Sequence, residues 1–263
     1  MDLGIKGKTA LVCGSSSGLG RAIADALAAE GANLVINSRS SEKLQQVQSE
    51  IIAASGVRVE MVEADLTDPA GVDAVVAAAQ EAFGTIDILV TNTGGPPAGP
   101  FENHSAEVWS QAIAQNFESV VNLTRAVLPG MKEQRWGRIV NVTSISVKQP
   151  VAGLILSNAI RAGVTGFAKT ISNEVASFNV TVNNVLPGFT RTERLIHLAE
   201  AVAERESLTI EGAYESWEGE IPMGRLGDPP ELGAVAAFLC SEQASYVTGQ
   251  SVAVDGGWIK GLY

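Results

Sequence analysis

Three glycines and the residues between them carry the first chemical signal. In CGSSSGLGRAIA, Gly14, Gly18 and Gly20 are spaced G-x-x-x-G-x-G, with Ser16, Ser17 and Leu19 filling the loop. Glycine permits a tight turn and lets backbone N–H groups approach an anion closely. The loop lies between an apolar run, TALVC at 9–13, and a helical stretch, RAIADALAAEG at 21–31. In that setting it cradles a pyrophosphate at a helix N-terminus. Downstream, NLVINSRS ends on Asn37-Ser38-Arg39 with no acidic residue. A site for a free ribose usually has a carboxylate near here. A carboxylate would repel a ribose phosphate, whereas the planar fork of Arg39 pairs with one. Ser38 and Arg39 therefore point to NADP(H) over NAD(H).

The elements that must position this loop are legible as an alternation. Short apolar runs occur at 9–13, 33–37, 57–64, 86–91, 137–142, 180–186 and 251–255, most of them rich in Val and Ile. Such runs suit strands buried on both faces of a parallel sheet. Helical stretches separate them. SSEKLQQVQSEIIAASG starts on Ser and ends on Gly, as a capped helix does. The expected fold is α/β: a single-domain, Rossmann-like, doubly wound parallel sheet of about seven strands over residues 1–263. One segment breaks the rhythm. About 40 residues, 189–228, separate the sixth strand from the next helix. That is too long for an ordinary connection and is expected to form a helical lid.

Composition narrows the function classes. With 46% hydrophobic and 18% charged residues, the chain can bury a sizeable core. A net charge of −11 argues against a nucleic-acid partner. Cys13 and Cys240 lie in apolar runs and are expected to be buried, inert thiols. His104 and His197 are the only histidines, so no metal centre is expected. No apolar run reaches the roughly 20 residues of a membrane span, and the N-terminal stretch lacks a signal-peptide core. The expected location is the cytoplasm.

Almost end to end, the chain resembles the short-chain dehydrogenase/reductase family, close to its 3-oxoacyl-acyl-carrier-protein reductase branch. Gly14, Gly18 and Gly20 match the family's glycine loop, and Asp65-Leu66 match the pair that holds the adenine ring. TNTG at 91–94 stands where the family has NNAG, so Asn92 and Gly94 match while Thr91 and Thr93 depart. Asn116 and Ser144 match the family's catalytic asparagine and serine. LPGFTRT supplies Pro187, Gly188, Thr190 and Thr192 beside the nicotinamide. The resemblance implies a homotetramer, or a dimer, acting on a small carbonyl or hydroxyl compound.

The family then expects Tyr-x-x-x-Lys. Here LSNAIRAG places Ser157 at the tyrosine and Arg161 at the lysine. Ser144 lies 13 residues before Ser157, a separation usual for the family's serine and tyrosine. A phenol of pKa about 10, lowered by a neighbouring cation, is an efficient acid near operating pH. Serine is a far weaker acid and is shorter by a ring. Arg161 keeps the positive charge and can still grip a ribose, but it does not relay protons. The expected catalytic set is Asn116, Ser144, Ser157 and Arg161, with Arg161 also on the cofactor. His197, Tyr214 and Lys148 are alternative proton donors.

Three functions fit these residues. One is an NADP(H)-dependent oxidoreductase with an atypical proton donor. Another is an NADP(H)-binding protein without turnover, a sensor or partner subunit. The last is a non-redox enzyme of dehydration or isomerisation. The substrate pocket is expected to draw on GGPPAGPF (94–101), VKQPVAGLI (147–155) and the lid. Those segments are apolar save for Lys148, which suits a small or medium apolar carbonyl compound.

Overall fold

A computed structural model describes residues 2–262. Seven parallel strands form one sheet in the order β3-β2-β1-β4-β5-β6-β7. They are β1 Thr9–Val12, β2 Asn33–Ser38, β3 Val59–Glu63, β4 Ile88–Thr91, β5 Gly137–Val142, β6 Val180–Pro187 and β7 Ser251–Val254. The expected α/β fold and strand count hold. Side chains of a strand alternate between faces, and here both faces are buried. Ala10 and Val12 join one apolar cluster with α1 (Gly18–Ala29), α2 (Ser41–Ser55) and the helix Pro229–Leu239. Leu11 and Cys13 join the other, with α3 (Pro69–Phe83), α5 (Ser119–Glu133) and α6 (Ile155–Val175). Fully burying one such aliphatic side chain contributes about 1.5–3 kcal/mol, so this double coverage is the main source of stability.

Local signals set the helix ends. Ser40 caps α2 by accepting the Lys43 N–H, and Gly56 closes it in the left-handed conformation. α4 (Ala106–Ile113) runs into α5 through a wider π-helical turn, Ala114–Glu118. Residues 106–133 thus form two helices joined by a π turn. Cys13 and Cys240 are buried, and desolvation pushes both thiols up to about 12. They are inert, as expected.

Strand order reverses direction between β1 and β4, so the crevice of the sheet opens there, past the strands' carboxyl ends. Segment 189–228 holds α7 (Glu193–Glu206) and α8 (Ile210–Glu220), ahead of α9 (Pro229–Leu239). It has its own apolar core. Phe189 stacks on Trp217 with centroids 4.8 Å apart, and Trp258 meets Phe189 edge-on at 5.7 Å. No described helix is long and apolar enough to cross a membrane.

Candidate active site

A cavity of about 700 Å³ runs along the carboxyl ends of the strands, from Arg39 to Ser157. The glycine loop forms its floor. Gly14 and Gly18 have φ of 59° and 56°, in the left-handed region. A Cβ at Gly20 would collide with the Gly14 carbonyl oxygen and with the Asn92 amide. Asn92 explains the crowding: its Nδ2 donates to the carbonyls of Cys13 at 3.3 Å and Gly14 at 3.2 Å, bracing the loop against β4. Ser15, which no sequence reading singled out, braces the other side. Its fully buried hydroxyl donates to the Val12 carbonyl and accepts from the Asn37 N–H. Ser17 precedes α1 in an extended conformation with no side-chain cap, so the first N–H groups of α1 lack a side-chain acceptor.

At one end of the cavity stand Ser38, Arg39, Asp65 and Leu66, together with Lys43. Thr67 holds Asp65 by its backbone N–H and its hydroxyl. That grip, aided by the nearby Arg39 charge, lowers the Asp65 carboxyl below its ordinary value. Arg39 is exposed. Lys43 was missed because it reads as an ordinary helix-surface lysine; the turn after β2 brings it beside Arg39.

At the other end are Ser144, Ser157 and Arg161, with Pro187, Gly188, Thr190 and Thr192 along the wall. Arg161, in the second turn of α6, is only 6% exposed. Its Nη1 donates to the Val142 carbonyl at 2.7 Å and its Nη2 to the Thr93 carbonyl at 3.4 Å. Burial, then the charge of Arg194, lowers this guanidinium to about 10. Ser144 accepts the Ser146 N–H at 3.1 Å and starts the turn Ile145–Val147. The Ser146 hydroxyl lies 3.4 Å from that of Ser157. Ser157 is therefore backed by a second hydroxyl, another group that spacing did not reveal.

Asn116 and Gly20 lie beneath the cavity rather than on its surface. Asn116 is fully buried in the π turn. Its Oδ1 accepts from the Thr93 hydroxyl at 3.1 Å, and its Nδ2 donates to the Ala112 carbonyl. π turns often occur at functional sites. Both departures from the family's NNAG thus have partners. Thr91 donates to Asn141, Asn141 to Asn184 and Asn184 to Ser251, a chain of side chains crossing four strands.

The expected pocket wall needs correction. Lys148 is exposed and off the cavity, because the turn Ile145–Val147 carries it outward. Tyr214 is also off it, packed against Trp217 at 5.9 Å beside a separate groove of the lid. His197 reaches the rim, but it is exposed and meets Glu200. The charge that enters instead is Arg194, from the first turn of α7. Its Nη2 donates to the Pro96 carbonyl at 2.5 Å, and its guanidinium covers Gly95. Burial lowers its pKa. The wall expected to be apolar save for a lysine therefore carries Arg194 in place of that lysine, with the exposed Glu193 beside it.

A family model described as enoyl-(acyl carrier protein) reductase matches residues 14–259. The chain is 38% identical to the 3-oxoacyl-(acyl-carrier-protein) reductase of Vibrio cholerae, over 97% of its own length and 98% of that protein's. It is 39% identical to the D-beta-hydroxybutyrate dehydrogenase of Cupriavidus necator, over 97% and 99% of the two. The L-sorbose reductase of Gluconobacter frateurii, solved with NADPH and L-sorbose, superposes with a TM-score of 0.94 at 36% identity, covering 100% of both chains. Matches of this extent, on a seven-stranded parallel sheet with a glycine loop after its first strand, place the chain in the short-chain dehydrogenase/reductase family of oxidoreductases.

Proposed function

We propose that this protein is an NADP(H)-dependent reductase of carbonyl compounds in which Ser157 and Arg161 do the work of a titrating proton donor. The observation that carries the proposal is the buried guanidinium of Arg161, held by two backbone carbonyls in the same cavity as Ser144 and Ser157.

The residues present fit the cofactor. The left-handed turns at Gly14 and Gly18, which line the cavity, lead to the α1 N-terminus, which lacks a side-chain cap. That end of a helix suits a pyrophosphate. Arg39 and Lys43 at the open end suit a ribose phosphate. Asp65 and Leu66 flank that end, and Asn92, Gly94, Pro187, Gly188, Thr190 and Thr192 line the rest. When bound, the cofactor supplies a hydride to the carbonyl carbon.

The protein's own part is the oxygen. Ser144 and Ser157 offer neutral hydroxyls to the carbonyl oxygen or to a water bridging it. Arg161 sets a fixed positive charge where negative charge develops, and it stays protonated throughout. The proton reaching the oxygen comes from solvent through those hydroxyls, so carbon gains a hydride and oxygen a proton. Losing a positioned acid costs about 10²–10⁴ in rate. A preorganised charge-stabilising donor contributes about 10²–10³. Arg161 therefore offsets much of the loss. Asn116 acts at one remove, fixing Thr93 and hence the carbonyl that holds Arg161.

The test is NADPH consumption with β-ketoacyl thioesters, diketones, aldehydes, sugars and quinones. Wild type runs beside the double variant Ser157→Tyr, Arg161→Lys. Turnover by wild type, not improved in the variant, is the expected result. An inert wild type beside an active variant would overturn the proposal in favour of cofactor binding without redox turnover.

A further inference from the structure

Arg161 and Arg194 share one cavity and one loop. Arg161 donates to the Thr93 carbonyl and Arg194 to the Pro96 carbonyl, three residues further on. Neither meets a carboxylate within ion-pair reach among the described residues. Glu193, beside Arg194 in the chain, is exposed and pairs with neither. Four exposed arginines, Arg39, Arg58, Arg125 and Arg135, also lack an ion-pair partner among the described residues, but water solvates them. Arg21, Arg191, Arg205 and Arg225 lie on the surface, and each has a carboxylate partner. Even Arg138, fully buried, reaches Glu242.

Two adjacent cations without a counter-ion are costly, because burial strips both of water and the charge of Arg194 repels that of Arg161. Their donors are also largely unused. A guanidinium has five N–H groups. Arg161 uses two groups on backbone carbonyls and Arg194 uses one. The remaining N–H groups, in fork geometry, match the two oxygens of a carboxylate. Glu193 also lines this end of the cavity but is exposed to solvent, so the buried charge there is positive.

We propose that the substrate carries a carboxylate as well as its carbonyl, and that Arg194 grips that carboxylate across the loop Thr93–Pro96 while Arg161 serves the carbonyl end. The favoured substrates are then oxo acids, or the corresponding hydroxy acids in reverse, rather than neutral ketones or aldehydes. This deepens the reductase reading and rests on it. A phosphate of the cofactor is the other anion that could reach Arg194. Its position argues for the substrate: it covers Gly95 and donates to Pro96, in the loop after β4, whereas the side chain at the start of α7 that reaches the glycine loop is Thr192, at Gly18.

The experiment compares 2-oxo and 3-oxo acids, each beside its methyl ester, in NADPH consumption by wild type, Arg194→Met and Arg194→Lys. Wild type is expected to favour acids over esters at least tenfold in kcat/KM. Arg194→Met should lower acids to the level of esters, a roughly tenfold to hundredfold loss, as expected for a charge-assisted hydrogen bond. KM for NADPH should not change, and Arg194→Lys should recover part of the preference. Equal use of acid and ester by wild type would overturn the proposal, and so would a preference that survives in Arg194→Met. A rise in KM for NADPH with every substrate would assign Arg194 to a cofactor phosphate instead. If wild type consumes no NADPH at all, the reductase reading fails, and the melting temperature of NADPH-loaded protein decides this one. An upward shift with acids alone, absent in Arg194→Met, supports carboxylate recognition; no shift overturns it.

Discussion

The Nη1 of Arg161 donates to the carbonyl of Val142 at 2.7 Å, tying the second turn of α6 to the last residue of β5 with a buried cation. The bond brings a charge to the edge of the sheet where the cavity is. Burial lowers the guanidinium to about 10. A basic group with a lowered pKa in the folded chain opposes folding while both states are protonated. That opposition is relieved as pH rises past about 10, where the folded chain releases its proton before the unfolded one. Arg161→Met should therefore melt at the same temperature as wild type or higher at pH 7, while kcat falls about 10²-fold or more. Melting curves and steady-state rates on the same preparations check both halves.

The pH profile should be as unusual as the donor. Among the described residues no phenol lies beside Ser157, and Arg161 stays charged to about 10. The rate of reduction by wild type should therefore show no ionisation between about pH 7 and 9. Ser157→Tyr should introduce one, since a phenol next to a cation titrates below its usual value of about 10. Initial rates from pH 6 to 10 distinguish the two.

Arg39 and Lys43 predict cofactor choice. Arg39→Ala should raise KM for NADPH about 10- to 100-fold, the worth of charge-assisted hydrogen bonds of about 1.5–3 kcal/mol, and leave KM for NADH nearly unchanged. The gap should narrow at high salt, because Arg39 is exposed. Parallel kinetics with both cofactors at two ionic strengths give the answer.

Two glycine substitutions should move in opposite directions. Gly20→Ala drives a methyl into the Gly14 carbonyl and the Asn92 amide. It should destabilise the chain by about 1–3 kcal/mol and abolish binding of NADPH. Gly130→Ala lies within α5, where an added Cβ meets nothing within 4 Å. It should stabilise by about 0.5–1 kcal/mol and leave activity unchanged. Urea unfolding and NADPH fluorescence titration report on both.

At the start of α9, Glu231 accepts the Asp228 N–H at 2.8 Å and both terminal nitrogens of Arg225. Arg225 and then that N–H pull the Glu231 carboxyl down to about 2. An acid lowered on folding contributes stability above its unfolded value, here about 4.5, and loses it as pH falls through about 2. Glu231→Gln should melt below wild type at pH 7, and the two curves should converge toward pH 2. Thermal melts from pH 7 to 2 check the convergence.

What the sequence determined is local. TALVC names a strand buried on both faces, because Ala10 and Val12 project to one side and Leu11 and Cys13 to the other. Gly14, Gly18 and Gly20 announce their loop, because the tight turn and close approach it needs belong to glycine. Ser157 and Arg161 are one helical turn apart, so their shared cavity follows from spacing. The tertiary structure decided which distant groups meet. Arg194 reads, within TERLIHLAE, as a charge on an amphipathic surface helix, yet it binds a carbonyl 98 positions earlier. Lys148 follows Ser144 closely and still faces away. Ser15 and Asn37, or Thr93 and Asn116, meet because strands align in register and a crossover helix lands on them. Periodicity and φ preferences act over a few residues. Register and helix packing act over the whole sheet, and they alone place two unpaired arginines at one end of the cavity.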